Sequence, residues 1–210
     1  MGVTLGKTML KTMCRSESDA VSKLFEKDVA RPVVSHLQHD HEVFQEVPSG
    51  ASVVDIVATT CNRRVMWAVE VKTSLSMALL SQALYDTRLF HYVSIAIPKS
   101  RVRSRGFEAA FHFCRQNGIG IIRVDASNGR ADEELKARFR RRVLTGYVFL
   151  ADEQKGYVEA GTSSGRRWSA FTATRLRLCE YVQNHPGCSI KSAVDHIGHH
   201  YSSARSARNC

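Results

Sequence analysis

The sequence predicts an α/β fold, a mixed sheet flanked by helices, followed by a small helical C-terminal module. Three observations carry this. Two β-branched runs, 52–58 and 65–72, flank the polar stretch Cys61-Asn62-Arg63-Arg64 and read as a hairpin. After it, helical and strand patterns alternate at the lengths expected of strand–helix–strand crossovers. Beyond residue 170 the pattern turns wholly helical. A chain of 210 residues accommodates one domain of about 150 residues and a smaller module. The expected boundaries are 1–150 for the α/β domain, 151–170 for a linker or loop and 171–210 for the module.

In chain order, a helix is expected from Ser16 to about His36 and a first strand over Glu42–Val47. The hairpin follows. Thr73-Ser74 offers an N-cap for a helix from Leu75 to Phe90, whose apolar positions are Leu75, Leu79, Leu80, Ala83, Leu84 and Phe90. His91–Ile97 is a strand stopped by Pro98, parallel to the second hairpin strand if the crossover is right-handed. A helix over Gly106–Gln116 ends at Asn117-Gly118, a C-cap signal. It leads to the strand Ile119–Asp125, expected to close the sheet. Asn128-Gly129 marks a turn, Asp132–Arg142 reads as a helix, and an apolar run covers Val143–Leu150. Gly156–Gly165 is rich in glycine and serine and reads as the linker.

The hairpin carries the chemistry. Closing it symmetrically about Asn62 and Arg63 sets Asp55 directly opposite Glu70, with Cβ atoms roughly 4.5–5.5 Å apart. Lys72 shares their face because side chains alternate with period two. Acidic residues are depleted in strands, and like charges directly opposed destabilise a sheet. A divalent cation would remove that repulsion, and Mg²⁺ prefers oxygen ligands. The alternative is an edge hairpin with a solvated outer face, on which Lys72 merely neutralises Glu70. Gln82 and Tyr85, spaced i and i+3, share one face of the next helix and could point back toward these residues.

These residues and this order of elements resemble the PD-(D/E)xK phosphodiesterase superfamily of restriction-endonuclease-like and Holliday-junction-resolvase-like nucleases. Val54-Asp55 matches the "PD" element, Glu70-Val71-Lys72 matches "ExK", and Gln82 matches the glutamine common in resolvase-like members. Valine replaces the proline of the name, a frequent departure. The resemblance spans roughly residues 17–125, an α-β-β-β-α-β core. It implies that Asp55, Glu70 and the backbone carbonyl of Val71 ligate Mg²⁺ or Mn²⁺. Lys72 would orient or help deprotonate the attacking water and offset charge on the phosphate. The first helix often supplies a further acid; Glu26 is the candidate and Glu17 the alternative. Glu46, in the first strand, is another by position.

Composition agrees with a polyanionic partner. Thirty Lys and Arg against 20 Asp and Glu give a formal charge of +10. Lys99, Arg101, Arg103 and Arg105 follow the third core strand, and Arg138, Arg140, Arg141 and Arg142 crowd a second segment. Such clusters contact phosphates and make binding salt-dependent. No apolar run is long enough to span a bilayer and no signal peptide is evident. The 6 cysteines are widely spaced without a CxxC pair, consistent with a reduced, cytoplasmic chain of a bacterial or phage-infected cell. GVTLGKT at residues 2–8 has too few residues between its glycines and no preceding strand for a P-loop. The histidine groups His36, His39, His41 and His196, His199, His200 lack a zinc-ligand spacing.

In the C-terminal module, helices are expected over Thr174–Asn184, from Ser189 to about Ile197, and over Tyr201–Cys210. They resemble a winged helix-turn-helix without its wing, in which Arg205 and Arg208 of the third helix would contact DNA. A helical protein-interaction module is the alternative. The leading expectation is thus a Mg²⁺-dependent deoxyribonuclease acting on DNA, as a monomer or a homodimer. The competing one is a non-catalytic DNA-binding or regulatory protein with structural hairpin acids. An RNA substrate lacks an aromatic stacking motif of the RNA-recognition type in the sequence.

Overall fold

The computed structural model describes residues 24–50, 52–60, 62–100, 104–125, 127–156, 159–161, 169–199, 201, 203, 205 and 206. Its centre is a six-stranded mixed sheet in sequential order. The strands are β1 (Glu42–Ser49), β2 (Ser52–Thr59), β3 (Met66–Val71), β4 (Tyr92–Pro98), β5 (Gly120–Asp125) and β6 (Arg130–Leu135). β1, β2 and β3 run antiparallel to one another, β3, β4 and β5 run parallel, and β6 returns antiparallel to β5. The pairs Ile56↔Val69, Val57↔Ala68, Ala58↔Trp67 and Thr59↔Met66 are those of the hairpin register expected from the sequence.

Helices cover both faces. α1 (Glu26–Leu37) packs Val29, Ala30, Val33 and Leu37 against Ile56, Ala58, Val69, Val71, Ala96 and Ile122. α2 (Met77–Asp86) and α3 (Arg105–Gln116) lie on the other face, where Leu79, Ala83, Phe107 and Ala110 join Val57, Ala68, Val93, Ile95 and Ile121. Local signals explain the boundaries. Ser76 caps α2 by accepting from the Leu79 N–H at 3.2 Å, so the helix starts later than the Thr73-Ser74 cap would place it. Ser104 caps α3, and Gly118, with φ of 62°, takes the left-handed conformation that ends it.

Two expectations are corrected. Asp132–Arg142 is not a helix: its first part belongs to β6, and β5 is an inner strand. The run Ala131-Asp132-Glu133-Glu134-Leu135 contains good helix formers, but β5 offers an open hydrogen-bonding edge and tertiary pairing overrides propensity. Its charges suit the edge position, since they discourage further strand addition. The apolar run over 143–150 lies along β1 instead, with the bridge Ser49↔Val148 and a bond from the Phe149 N–H to the Pro48 carbonyl.

A 3-10 turn, Asp152–Lys155, sits on β1 through Lys155–Glu42 at 3.0 Å, and an Arg63–Asp152 ion pair ties it to the β2–β3 loop. α4 (Ala170–Asn184) joins this turn through Arg177–Glu153 at 2.5 Å. α5 (Ile190–His196) is capped by Ser189, and Tyr181 stacks on His185 and His196. The expected third helix falls largely outside the described residues. No helix among the described residues is long and apolar enough to cross a membrane.

Candidate active site

The β2–β3 ladder stops at Ile56↔Val69, one position before Asp55 and Glu70. There β2 no longer supplies a backbone acceptor, and the Asp55 carboxylate replaces it, with Oδ2 accepting the Val71 N–H at 2.7 Å. Ala68 belongs to the core under α2 and α3, while Val69 and Val71 belong to the core under α1. Alternation therefore turns Glu70 toward α2, where it is 3% exposed. Lys72 ends the strand, its N–H bonded to the Ala96 carbonyl at 3.0 Å and its Nζ 3.1 Å from the Glu26 carboxylate. Asp55, Glu70, Lys72 and Glu26 thus meet where β2 parts from β3 beside the start of α1.

Two further acids join them. Asp86, in the last turn of α2, is 1% exposed, interacts with Glu70, and has an Oδ2 without a hydrogen-bond partner. Sequence reasoning passed over it, although an acid at a helix C-terminus is disfavoured by the macrodipole and is a signal in itself. Glu46 lies opposite Asp55, between the pairs Gln45↔Ile56 and Val47↔Val54, and the ladder skips both. Its φ of 54° is left-handed, a conformation that costs a non-glycine residue on the order of 1–3 kcal/mol and gathers at functional sites. Gln82 and Tyr85 are exposed on α2 and line, with Glu70, Ser52 and Asp86, a cavity of about 380 Å³.

Electrostatics follow from crowding carboxylates in a buried place. Burial pushes the Glu70 carboxyl up to about 10, assisted by the charges of Asp55 and Asp86. Asp86 rises to about 6, chiefly through burial. Asp55 is also raised by burial, opposed by the Val71 N–H and Lys72. Glu46 is raised by burial and by Asp55, opposed by the Gly161 N–H and Lys72. Burial alone would lower Lys72, but Asp55, Glu26 and Glu70 more than compensate and hold it above its ordinary value. At neutral pH Glu70 therefore keeps a proton, and Lys72 is an ammonium.

The segment Glu159–Gly161, within the stretch expected to be a linker, is part of this neighbourhood. Ala160 is fully buried in the core under α1, and its N–H donates to the Gln45 side chain at 2.9 Å. Glu159 pairs with Arg31 of α1. The Gly161 N–H donates to Glu46 at 3.3 Å. Gly161 has a φ of 74°, and a Cβ there would lie 2.7 Å from the backbone carbon of Glu26. Gly161→Ala is therefore expected to destabilise the fold by about 1–3 kcal/mol through strain against the first turn of α1. Thermal unfolding measures this; an unchanged midpoint would mean the segment yields freely.

Of the expected DNA contacts, Arg105 is the exposed first residue of α3 and Arg205 is exposed, while Arg101, Arg103 and Arg208 lie outside the described residues, as does Glu17. Among the described residues, Cys114, Cys179 and Cys188 are free thiols, and no three His, Cys, Asp or Glu side chains are gathered tightly enough to hold a metal ion as they stand. No protein-family model and no curated protein matches the chain.

Proposed function

We propose that the protein is a metal-dependent deoxyribonuclease with a restriction-endonuclease-like core, hydrolysing DNA phosphodiester bonds at the Asp55–Glu70–Lys72 cluster. The observation that carries the reading is the parting of β2 from β3 at the point where the buried Glu70, the half-buried Asp55 and a lysine meet. A structural hairpin gains nothing from opposed acids, whereas a phosphodiesterase needs oxygen ligands and a cation on one patch.

The donor set fits Mg²⁺ or Mn²⁺. Every side-chain donor is a carboxylate oxygen, the class hard cations prefer, and Asp86 keeps one buried oxygen unpartnered. The proton on Glu70 relieves a repulsion that a divalent cation would relieve better. Asp55, Glu70 and the Val71 carbonyl would hold the ion, which when bound supplies positive charge to the phosphate and makes its water more acidic.

The chain's own residues do the rest. Lys72, held charged, has no lone pair with which to accept a proton, so its role is to orient the water and offset charge developing on the phosphate. Glu26 positions Lys72 through their 3.1 Å contact. Gln82 lines the cavity beside Glu70 and would donate to a phosphate or water. The excess of 30 basic over 20 acidic residues draws the polyanion in. The C-terminal helices are proposed as a DNA-docking module.

Cleavage of linear, supercoiled, single-stranded and branched DNA, with Mg²⁺, Mn²⁺ or EDTA, tests the proposal. Metal-dependent cutting is expected, reduced about 100-fold in Lys72→Ala. DNA binding without cutting under any metal would leave a non-catalytic DNA-binding protein.

A further inference from the structure

The sheet face covered by α1 carries a second site at the hairpin end, away from the acid cluster. Trp67 and Tyr92 stand on neighbouring positions of β3 and β4, register partners with ring centroids 6.3 Å apart. His41, after α1, meets the Trp67 indole edge-on at 6.0 Å. From beyond β6, Phe139 packs on Tyr92 at 5.4 Å and stacks on His91 at 5.8 Å. The Trp67 indole N–H donates to the Ser94 hydroxyl at 2.9 Å, which fixes the ring plane. Five rings from four separate segments form one continuous row.

Part of that row opens into a cavity of about 570 Å³, walled by His41, Trp67 and Tyr92 with Ala58 and Val65. That volume lies in the range of small-ligand sites. Phe139 is 49% exposed. Beside the rings runs the segment 136–142, whose Arg140 N–H bonds to the His91 carbonyl at 2.9 Å. Lys136 lines the cavity, and Lys136, Arg138, Arg141 and Arg142 are exposed and make no ion pair among the described residues. Thr60 and Glu133 add hydrogen-bonding groups to the wall.

We infer that this row of rings and its cationic rim form a binding platform for single-stranded DNA, separate from the acid cluster. Two requirements of such a platform are met together. Unpaired bases stack on aromatic faces whatever their sequence, and Lys and Arg track the phosphates alongside. A duplex hides its base faces and would use only the rim. An apolar partner would not call for four unpaired cations. Choosing DNA over RNA rests on the cleavage reading above; the platform itself does not.

The test is fluorescence anisotropy of labelled oligothymidylate in EDTA, with Lys72→Ala as background so that nothing is cut. A duplex hairpin and oligouridylate serve as competitors. Phe139→Ala and Phe139→Leu should each weaken oligothymidylate about tenfold, the effect of losing one stacked base, and leave duplex binding within about twofold. Phe139 is exposed, so the fold survives the change; the leucine variant separates stacking from apolar packing. Lys136→Ala and Arg138→Ala should each lower the salt dependence by about one counterion. Equal losses on duplex and single strand, no loss in the Phe139 variants, or tighter ring-dependent binding of oligouridylate would each overturn the inference. Since no metal is present, ring-dependent binding stands even if cleavage never appears, and cleavage stands even if binding ignores the rings.

Discussion

Glu70→Gln should abolish cleavage and, without metal, make the protein more stable. Glu70 is nearly fully buried against Asp55 and Asp86 and is pushed up to about 10. Unfolded, the same carboxyl releases its proton near its ordinary value of 4.5. Between those values the folded state holds a proton that the unfolded state has lost, so this group's contribution to stability falls as pH rises through the window. Asp86, raised to about 6, adds to the same trend at the acidic end. Glutamine matches the protonated acid in shape and keeps its hydrogen-bonding capacity without a proton to hold. At pH 8 the gain should be about 1–3 kcal/mol, or several degrees in Tm, shrinking toward pH 5. Mg²⁺ should raise the wild-type Tm and leave that of the variant nearly unchanged, because binding to the folded state alone stabilises it. Calorimetric scans from pH 5 to pH 9, with and without Mg²⁺, read all of this. A variant less stable than wild type at pH 8 would show that Glu70 is a structural ion-pair partner and not a proton-holding ligand.

This coupling of lost activity with gained stability distinguishes a built site from a solvated hairpin face. On a solvated face Glu70 would titrate normally beside Lys72, and glutamine would change stability by a few tenths of a kcal/mol at most. The structure instead buries Glu70 and leaves Lys72 to Glu26.

What was legible in the sequence was local or fixed by short-range geometry. The register of β2 and β3 follows from the hairpin turn, and the crossover from β3 through α2 to β4 from its length. Ser189 and Gly118 signal their boundaries by cap chemistry alone. Asp55, Glu70 and Lys72 could be paired on paper because all three sit within one hairpin. Long-range packing was not legible. Asp86 belongs to the site only because α2 lies over β3, and Gly161 only because the chain returns to α1 after β6. Residues 130–135 carry helix-forming side chains, and only the open edge of β5 makes them a strand. The aromatic row escaped sequence reading for the same reason: His41, Trp67, Tyr92 and Phe139 share no motif and meet only across the sheet.

Asp55 serves two purposes at once, and two substitutions separate them. Its Oδ2 accepts the Val71 N–H at 2.7 Å where the ladder has ended, so it closes a backbone donor that would otherwise be buried and unpaired. Burial raises both Glu70 and Glu46, and the charge of Asp55 adds to the rise of each. Asp55→Asn keeps a carbonyl oxygen for Val71 and removes the charge. Asp55→Ala removes both and orphans the N–H, which costs about 1–3 kcal/mol. Each should lower metal-dependent cleavage on the order of 1,000-fold, because either loses a ligand worth several kcal/mol of charge stabilisation. Only the alanine variant should lose stability. The asparagine variant should let Glu70 and Glu46 titrate closer to their ordinary values, since one of the charges opposing their ionisation is gone. Paired measurements of Tm and cleavage rate for the two variants decide the point. Equal destabilisation would mean that the charge, not the hydrogen bond, holds β3 at the splay. Retained cleavage in Asp55→Asn would remove Asp55 from the metal site and leave Glu70 with Asp86 as the acids that must account for it.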